Sequence, residues 1–83
     1  MEGWELVFHG PTLEFLLARR ASVRLQLLKF CDRLASDPYL ESDYTETDST
    51  GRTLSCCVIG DWAITYWRDE LVKEIRVVKI EAA

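Results

Sequence analysis

Few side chains in this sequence are of a type that does chemistry, and their spacing decides what they could do. His9 is the only histidine and stands beside Gly10-Pro11. A Cys–His nucleophile pair would need Cys31, Cys56 or Cys57 next to it, and no spacing requires that. His9 therefore reads as a structural or surface residue at the end of a strand. Cys56 and Cys57 are adjacent, and neighbouring side chains in a strand point to opposite faces, so they cannot easily bridge each other or grip one metal. With three cysteines, one histidine and no Cys-x-x-Cys, a zinc site is not indicated, and the thiols read as free, buried, small hydrophobes. Glu46 and Asp48 share a strand face, but carboxylates at that spacing are ordinarily just solvated. The glycines (Gly3, Gly10, Gly51, Gly60) are scattered at turns and form no phosphate loop. Arg52, Arg68, Lys73 and Arg76 are the basic residues that a sheet could offer to phosphate. Trp62, Tyr66 and Trp67 could stack nucleobases on such a sheet, although a small domain needs large aromatics for its core, and core packing is the favoured reading. No local motif specifies catalysis, which leaves open whether the chain is an enzyme, and no cofactor is implied.

The elements that must position these residues follow from hydrophobic periodicity. Trp4 to His9 alternates as a first strand with Trp4, Leu6 and Phe8 on one face. Gly10 serves as the N-cap of a helix whose first position is Pro11, where the missing N–H costs nothing. Leu13, Leu16 and Leu17 recur at helical spacing. Ser22 caps a second helix through about Ala35, with Val23, Leu27, Phe30/Cys31 and Leu34 as its apolar stripe. Arg24, Gln26, Lys29 and Arg33 face water. The two helices form an antiparallel hairpin, stopped at Ser36-Asp37-Pro38 because the residue before proline avoids helical angles. Strands follow over 44–48, 53–59 and 62–68, with turns at Ser49-Thr50-Gly51, Gly60-Asp61 and Asp69-Glu70, and 71–80 is a final β-rich segment. The order is β-α-α-β-β-β-β in a single domain, 1–83. The fold class is α+β, an antiparallel sheet with one face covered by the helical hairpin. On the fourth strand Trp62, Ile64 and Tyr66 share one face and Ala63, Thr65 and Trp67 the other. Either face could meet the helices.

Composition bounds the rest. Eighty-three residues with 48% apolar content fold as one small domain whose single core is marginal, so partner binding or oligomerisation is expected to add stability. No apolar run approaches a membrane span, and Met1-Glu2-Gly3-Trp4 lacks the organisation of a signal peptide, so a cytoplasmic address is expected. The net charge of −4 argues against broad binding to nucleic-acid phosphates. The charges are uneven: Arg19, Arg20, Arg24, Lys29 and Arg33 are opposed only by Asp32, whereas Asp37, Glu41, Asp43, Glu46 and Asp48 have no base among them. Two solvated surfaces account for this. A basic helical face meeting an acidic partner segment is the sharper alternative.

The opening strand, the helical hairpin ending in Leu34-Ala-Ser-Asp-Pro38, and the run Gly60-Asp61-Trp62-Ala63-Ile64-Thr65-Tyr66, taken in this order and spacing, resemble the RelE/ParE superfamily of bacterial toxins over most of the chain. The resemblance implies a small cytoplasmic toxin wrapped by an antitoxin segment that folds on binding. It also implies either messenger RNA cleavage on the ribosome or poisoning of DNA gyrase. Ribosome-dependent members tend to carry Arg where Ala63 stands, basic residues where Cys56 and Val58 stand, and a catalytic Tyr or His at the end, where this chain has Lys79-Ile80-Glu81-Ala82-Ala83. RNA cleavage needs groups that activate the 2′-OH and neutralise phosphate, so the pattern lies closer to the ParE-like, non-nuclease side or to an inactive relative. Leu13, Leu16, Leu17, Arg20 and Arg24 are the expected antitoxin contacts, together with Arg19 and Arg33. Arg52, Arg68, Lys73 and Arg76 are the contacts for a target or RNA. A toxin acting by binding is the leading expectation. A ribosome-dependent endoribonuclease and a non-toxic interaction domain that kept the fold are the alternatives. A homo-oligomer and a hetero-oligomer with the antitoxin are both compatible with the sequence.

Overall fold

The computed structural model describes residues 3–83; Met1 and Glu2, part of the opening read against a signal peptide, lie outside the described residues. Among the described residues the chain runs β1 (Glu5–Phe8), α1 (Gly10–Leu17), α2 (Ala21–Ser36), β2 (Tyr44–Thr47), β3 (Thr53–Ile59), β4 (Trp62–Asp69) and β5 (Glu74–Ala82). This is the order expected from the sequence. The strands form one sheet, arranged β1-β5-β4-β3-β2. Strands β2 to β5 meander antiparallel, while β1 joins the β5 edge in parallel, Leu6 opposite Ile75 and Phe8 opposite Val77. The sheet is therefore mixed. A parallel neighbour requires a long crossover, and here the path through α1 and α2 begins it, which keeps both helices on one face.

The helix starts differ from expectation by one or two residues. His9, not Gly10, is the N-cap of α1, and its carbonyl accepts from the amides of Thr12 and Leu13 at 2.8 and 3.0 Å. Pro11 still falls in the first turn, where no intrahelical donor is needed. Arg20, not Ser22, is the N-cap of α2, because its carbonyl accepts from Val23 and Arg24. The inward face of α1 is also rotated: Thr12 and Leu16 are buried and Phe15 is half-buried, while Leu13 and Leu17 are exposed. Phe15 packs edge-on against Trp62 at 5.6 Å. In α2 the expected stripe holds, with Leu27, Phe30, Cys31 and Leu34 buried.

The open question about β4 is settled by burial. Ile64 and Tyr66 are fully buried in the core beside Leu27 and Leu34, so the face of Trp62, Ile64 and Tyr66 meets the helices. On β5 the inward residues are Ile75, Val77 and Ile80. That row breaks strict alternation because the register shifts: Tyr66 pairs with Val77 and Thr65 with Lys79, leaving Val78 as the extra residue of a bulge. The bulge restores the phase so that Ile80 returns to the core. The last strand starts at Glu74 rather than Leu71. Lys73 has φ 58° and the pair Asp69–Glu74 closes the loop, which leaves Leu71 97% exposed at its tip.

Gly60 turns β3 into β4 with φ 61°, and a Cβ there would sit 2.6 Å from Gln26 Nε2 of α2. The backbone angle is what disfavours a side chain, since the Gln26 amide is the free end of an exposed, flexible side chain that can swing aside. Gly60→Ala is expected to lower stability by about 2 kcal/mol, read as a drop in the denaturant midpoint. Adding Gln26→Ala recovers little, because the strained φ remains.

Cys31, Cys56 and Cys57 are free and buried. Burial, reinforced by the charge of Asp32, pushes the Cys31 thiol from 9.0 up to about 12. A raised folded-state value means that the unfolded chain ionises first. This contribution to stability is complete below pH 9.0 and is lost as pH rises towards about 12. Thermal midpoints measured across alkaline pH should fall over this window in the wild type. They should fall less steeply in Cys31→Ala, which starts from a lower value because a core atom is removed.

Candidate functional site

Two surfaces remain after the core is assigned. The first is the sheet face turned away from the helices. Strand alternation and register place Glu5 and Val7 of β1, Tyr44 and Glu46 of β2, Leu54, Cys56 and Val58 of β3, and Ala63, Thr65, Trp67 and Asp69 of β4 there. From β5 it carries Glu74, Arg76, Lys79 and Glu81. Its centre is apolar and close-packed, with Cys56, Ala63 and Thr65 buried and the Cys56 thiol 3.6 Å from the Thr65 hydroxyl. The aromatic trio of the sequence is thus divided. Tyr66 is core, its hydroxyl 3.7 Å from the Cys57 thiol, Trp62 lies under α1, and Trp67 alone stands on the open face.

Trp67 is held between two guanidinium groups, Arg52 at 3.9 Å and Arg76 at 5.7 Å from the ring centroid. Arg76 is itself tied to Glu74 at 2.7 Å and Asp69 at 3.4 Å. Arg52 pairs with Asp48 at 3.7 Å. Lys79 lies between Glu81 at 3.3 Å and Glu46 at 3.6 Å, reaching from β5 across β4 and β3 to β2. The hydrogen bond from Lys79 to Glu81 raises the lysine's affinity for its proton, and the nearby charges of Glu81 and Glu46 add to it. A cavity of about 410 Å³ opens at the β1 edge, lined by Val7, Trp67, Arg76 and Val78 and also by Phe8 and Val77 of the core side and by His9 and Gly10 at the start of α1.

The four residues expected to meet a target or RNA do not form one group. Arg52 and Arg76 come together at Trp67. Arg68, even-numbered on β4, turns to the helix side, donates to the Pro38 carbonyl at 3.3 Å and lies over Tyr39 at 5.0 Å. Lys73 sits in the loop between β4 and β5, 5.4 Å from the centroid of Trp4. Opposite orientation on the strand removes Arg68 from the group, and placement in the loop removes Lys73.

The second surface is the outside of the helical layer. Leu13, Leu17, Leu25 and Leu28 are exposed by 41, 63, 57 and 40%. Leu16, expected among the antitoxin contacts, is only 2% exposed and belongs to the core, because the rotation of α1 turns it inward. It is not available to a partner. Arg20 is exposed and Arg24 half-exposed, the Arg24 guanidinium donating to the Arg19 carbonyl. Arg19 lies over Phe15 at 4.2 Å. Leu25 and Leu28 were missed in the sequence, although two leucines off the main stripe of an otherwise polar helix were a usable signal.

The acidic stretch orders the sheet edge. Asp43 accepts from the Val58 amide at 2.7 Å, beyond the end of β2. Asp48 accepts through Oδ1 from the Thr50 hydroxyl and the amides of Thr50 and Arg52 at 2.6, 2.9 and 2.9 Å. These bonds, the Thr50 hydroxyl first, hold the Asp48 carboxyl below the usual carboxylate range. A lowered folded-state value means that the turn's order persists above the ordinary Asp range and fails as pH falls through the lowered value. Amide exchange at Thr50 and Arg52 should accelerate in Asp48→Asn at neutral pH, and in the wild type only at acid pH below that range.

Among the described residues no helix is long and apolar enough to cross a membrane, and no cluster of His, Cys, Asp and Glu is arranged to hold a metal ion. No protein-family model matches the sequence, and no curated protein matches it at a significant level. Solved structures do match. The archaeal RelE–RelB complex from Pyrococcus horikoshii superposes with a TM-score of 0.77 at 17% identity, covering 95% of this chain and 93% of that one. The RelBE toxin–antitoxin complex from Mycobacterium tuberculosis gives 0.75 at 10% identity, covering 100% and 94%. The isolated E. coli RelE toxin gives 0.70 at 15% identity, covering 96% and 84%. The chain has a RelE-like fold.

Proposed function

We propose that this chain is the toxin-like component of a bacterial toxin–antitoxin pair, acting in the cytoplasm mainly by binding a cellular target and neutralised by a cognate antitoxin. The reading rests chiefly on the full-length match to RelE structures, two of them solved as complexes with an antitoxin. The helical layer supports it from the chain itself. Leu13 and Leu17 leave an apolar strip exposed on α1, Leu25 and Leu28 leave another on α2, and Arg20 and Arg24 belong to the same layer. An amphipathic antitoxin segment with acidic residues at its margins is the complement of such a strip.

Binding is favoured over RNA cleavage by the state of the open face. Arg52, Arg76 and Lys79 are each already paired with carboxylate, and Arg68 and Lys73 lie elsewhere. A phosphate would have to displace those carboxylates, and no histidine stands in the middle of the sheet to move a proton. A protein target of the DNA gyrase kind suits this face better than ribosome-bound message.

Inducing the chain alone in a bacterial host should arrest growth while total RNA stays intact, and co-expression of the neighbouring small reading frame should restore growth. Leu17→Asp with Leu25→Asp should keep the arrest and lose the rescue, since aspartates on these strips forfeit apolar contact without touching the sheet. Normal growth with abundant soluble protein would overturn the toxin reading, and early loss of message would favour the nuclease.

A further inference from the structure

We infer that the open sheet face is a docking surface for a lysine- and arginine-bearing segment of another protein, an apolar side chain of that segment entering the cavity beside Trp67. The inference goes beyond the toxin reading and rests on the charge and shape of the face alone. Glu5, Glu46, Asp48, Asp69, Glu74 and Glu81 border or line it, whereas its cations are Arg52, Arg76 and Lys79. Carboxylates outnumber cations two to one, so the face presents a negative potential to anything approaching. The phenol of Tyr44 at its β2 edge is raised, first by partial burial, with Cys56, Glu46 and Glu81 adding to it and Lys79 opposing.

The arrangement is graded along β4 and β5. The pair Asp69–Glu74 comes first, then Trp67–Arg76 beside the cavity, then Thr65–Lys79, then Ala63–Glu81. Acidic positions thus lie on either side of an aromatic wall and a cavity of about 410 Å³, a volume that takes one or two side chains. From Glu74 to Glu81 the strand extends roughly 20 Å at a rise of about 3.3 Å per residue. That length suits an extended segment with basic residues flanking an apolar one, and is too great for a single metal ion or a small amine. Charge complementarity of this kind sets partner choice and encounter rate. Lys79 already occupies, from within the chain, the place an incoming cation would take between Glu46 and Glu81. Exposed ion pairs are worth only about 0–1 kcal/mol, so the exchange is cheap. A nucleic acid would instead bring phosphates against the carboxylates.

The test uses the full chain and a short fluorescein-labelled peptide with lysines and arginines around a central leucine. Its charge-reversed twin and a labelled single-stranded RNA serve as competitors, and binding is followed by anisotropy at low and physiological salt. The basic peptide is expected to bind, and Glu46→Lys with Glu81→Lys to weaken it by about tenfold or more. Glu14→Lys with Asp32→Lys, the same change in net charge on the helical layer, should weaken it far less. Lys79→Met, which removes the built-in competitor, should tighten it, and circular dichroism establishes that each variant is folded. Equal weakening by the two charge reversals would reduce the effect to net charge and overturn the inference. Loss of peptide affinity in Lys79→Met, or RNA binding that the basic peptide does not match, would overturn it as well.

Discussion

The burial of the inward row of β4 beneath two helices is the constraint on which the other features depend. Ile64 and Tyr66 have no exposed surface, and Leu27, Leu34, Ile75 and Val77 close around them with none either. Each such aliphatic side chain contributes on the order of 1.5–3 kcal/mol when removed from water. In a chain this small few others are available to replace it. Once that row faces the helices, the orientation of every other strand follows from register. The Val78 bulge exists to keep Ile80 in the same layer after Ile75 and Val77. The parallel entry of β1 is a consequence as well, since Leu6 and Phe8 must lie on the helix side next to Ile75 and Val77.

The opposite face inherits its character from this choice. With Ile64 and Tyr66 turned inward, Trp67, Arg76, Lys79 and their carboxylate partners are turned outward together. Their pairings cross strands: Lys79 of β5 reaches Glu46 of β2, and Arg52 before β3 covers Trp67 of β4. Individually these exposed pairs add little stability. Collectively they fix a surface whose cations are all occupied. The RelE-like fold here carries a face poor in free positive charge, and fold by itself does not fix what such a face binds.

The helical layer shows how a marginal core and exposed apolar strips coexist. Turning α1 so that Thr12, Phe15 and Leu16 face the sheet leaves Leu13 and Leu17 in solvent, as Leu25 and Leu28 of α2 also are. A monomer gains nothing from that arrangement. A protein that shares its stability with a partner does, because apolar surface buried in a complex stabilises the folded state by mass action.

Element order, the stripe of α2, the bounds of β3 and the glycine turn into β4 were all legible in the sequence. Each is set by local periodicity or by a residue whose backbone freedom is itself local, as Gly60 is at φ 61°. The resemblance carried jointly by the opening strand, the helical hairpin and the Gly60–Tyr66 run agrees with the fold that the superpositions display. What the sequence alone could not decide was relational. The rotation of α1 that withdrew Leu16, the choice of β4 face, the parallel pairing of β1 and the bulge at Val78 all depend on contacts between residues distant in the chain. So does the fate of the basic residues. Arg52 and Arg76 converge on Trp67 while Arg68 and Lys73 are sent away, because side chains on neighbouring strands meet only when register and face agree. Residue types and local spacing determined which elements form. Only their packing determined which side chains share a surface.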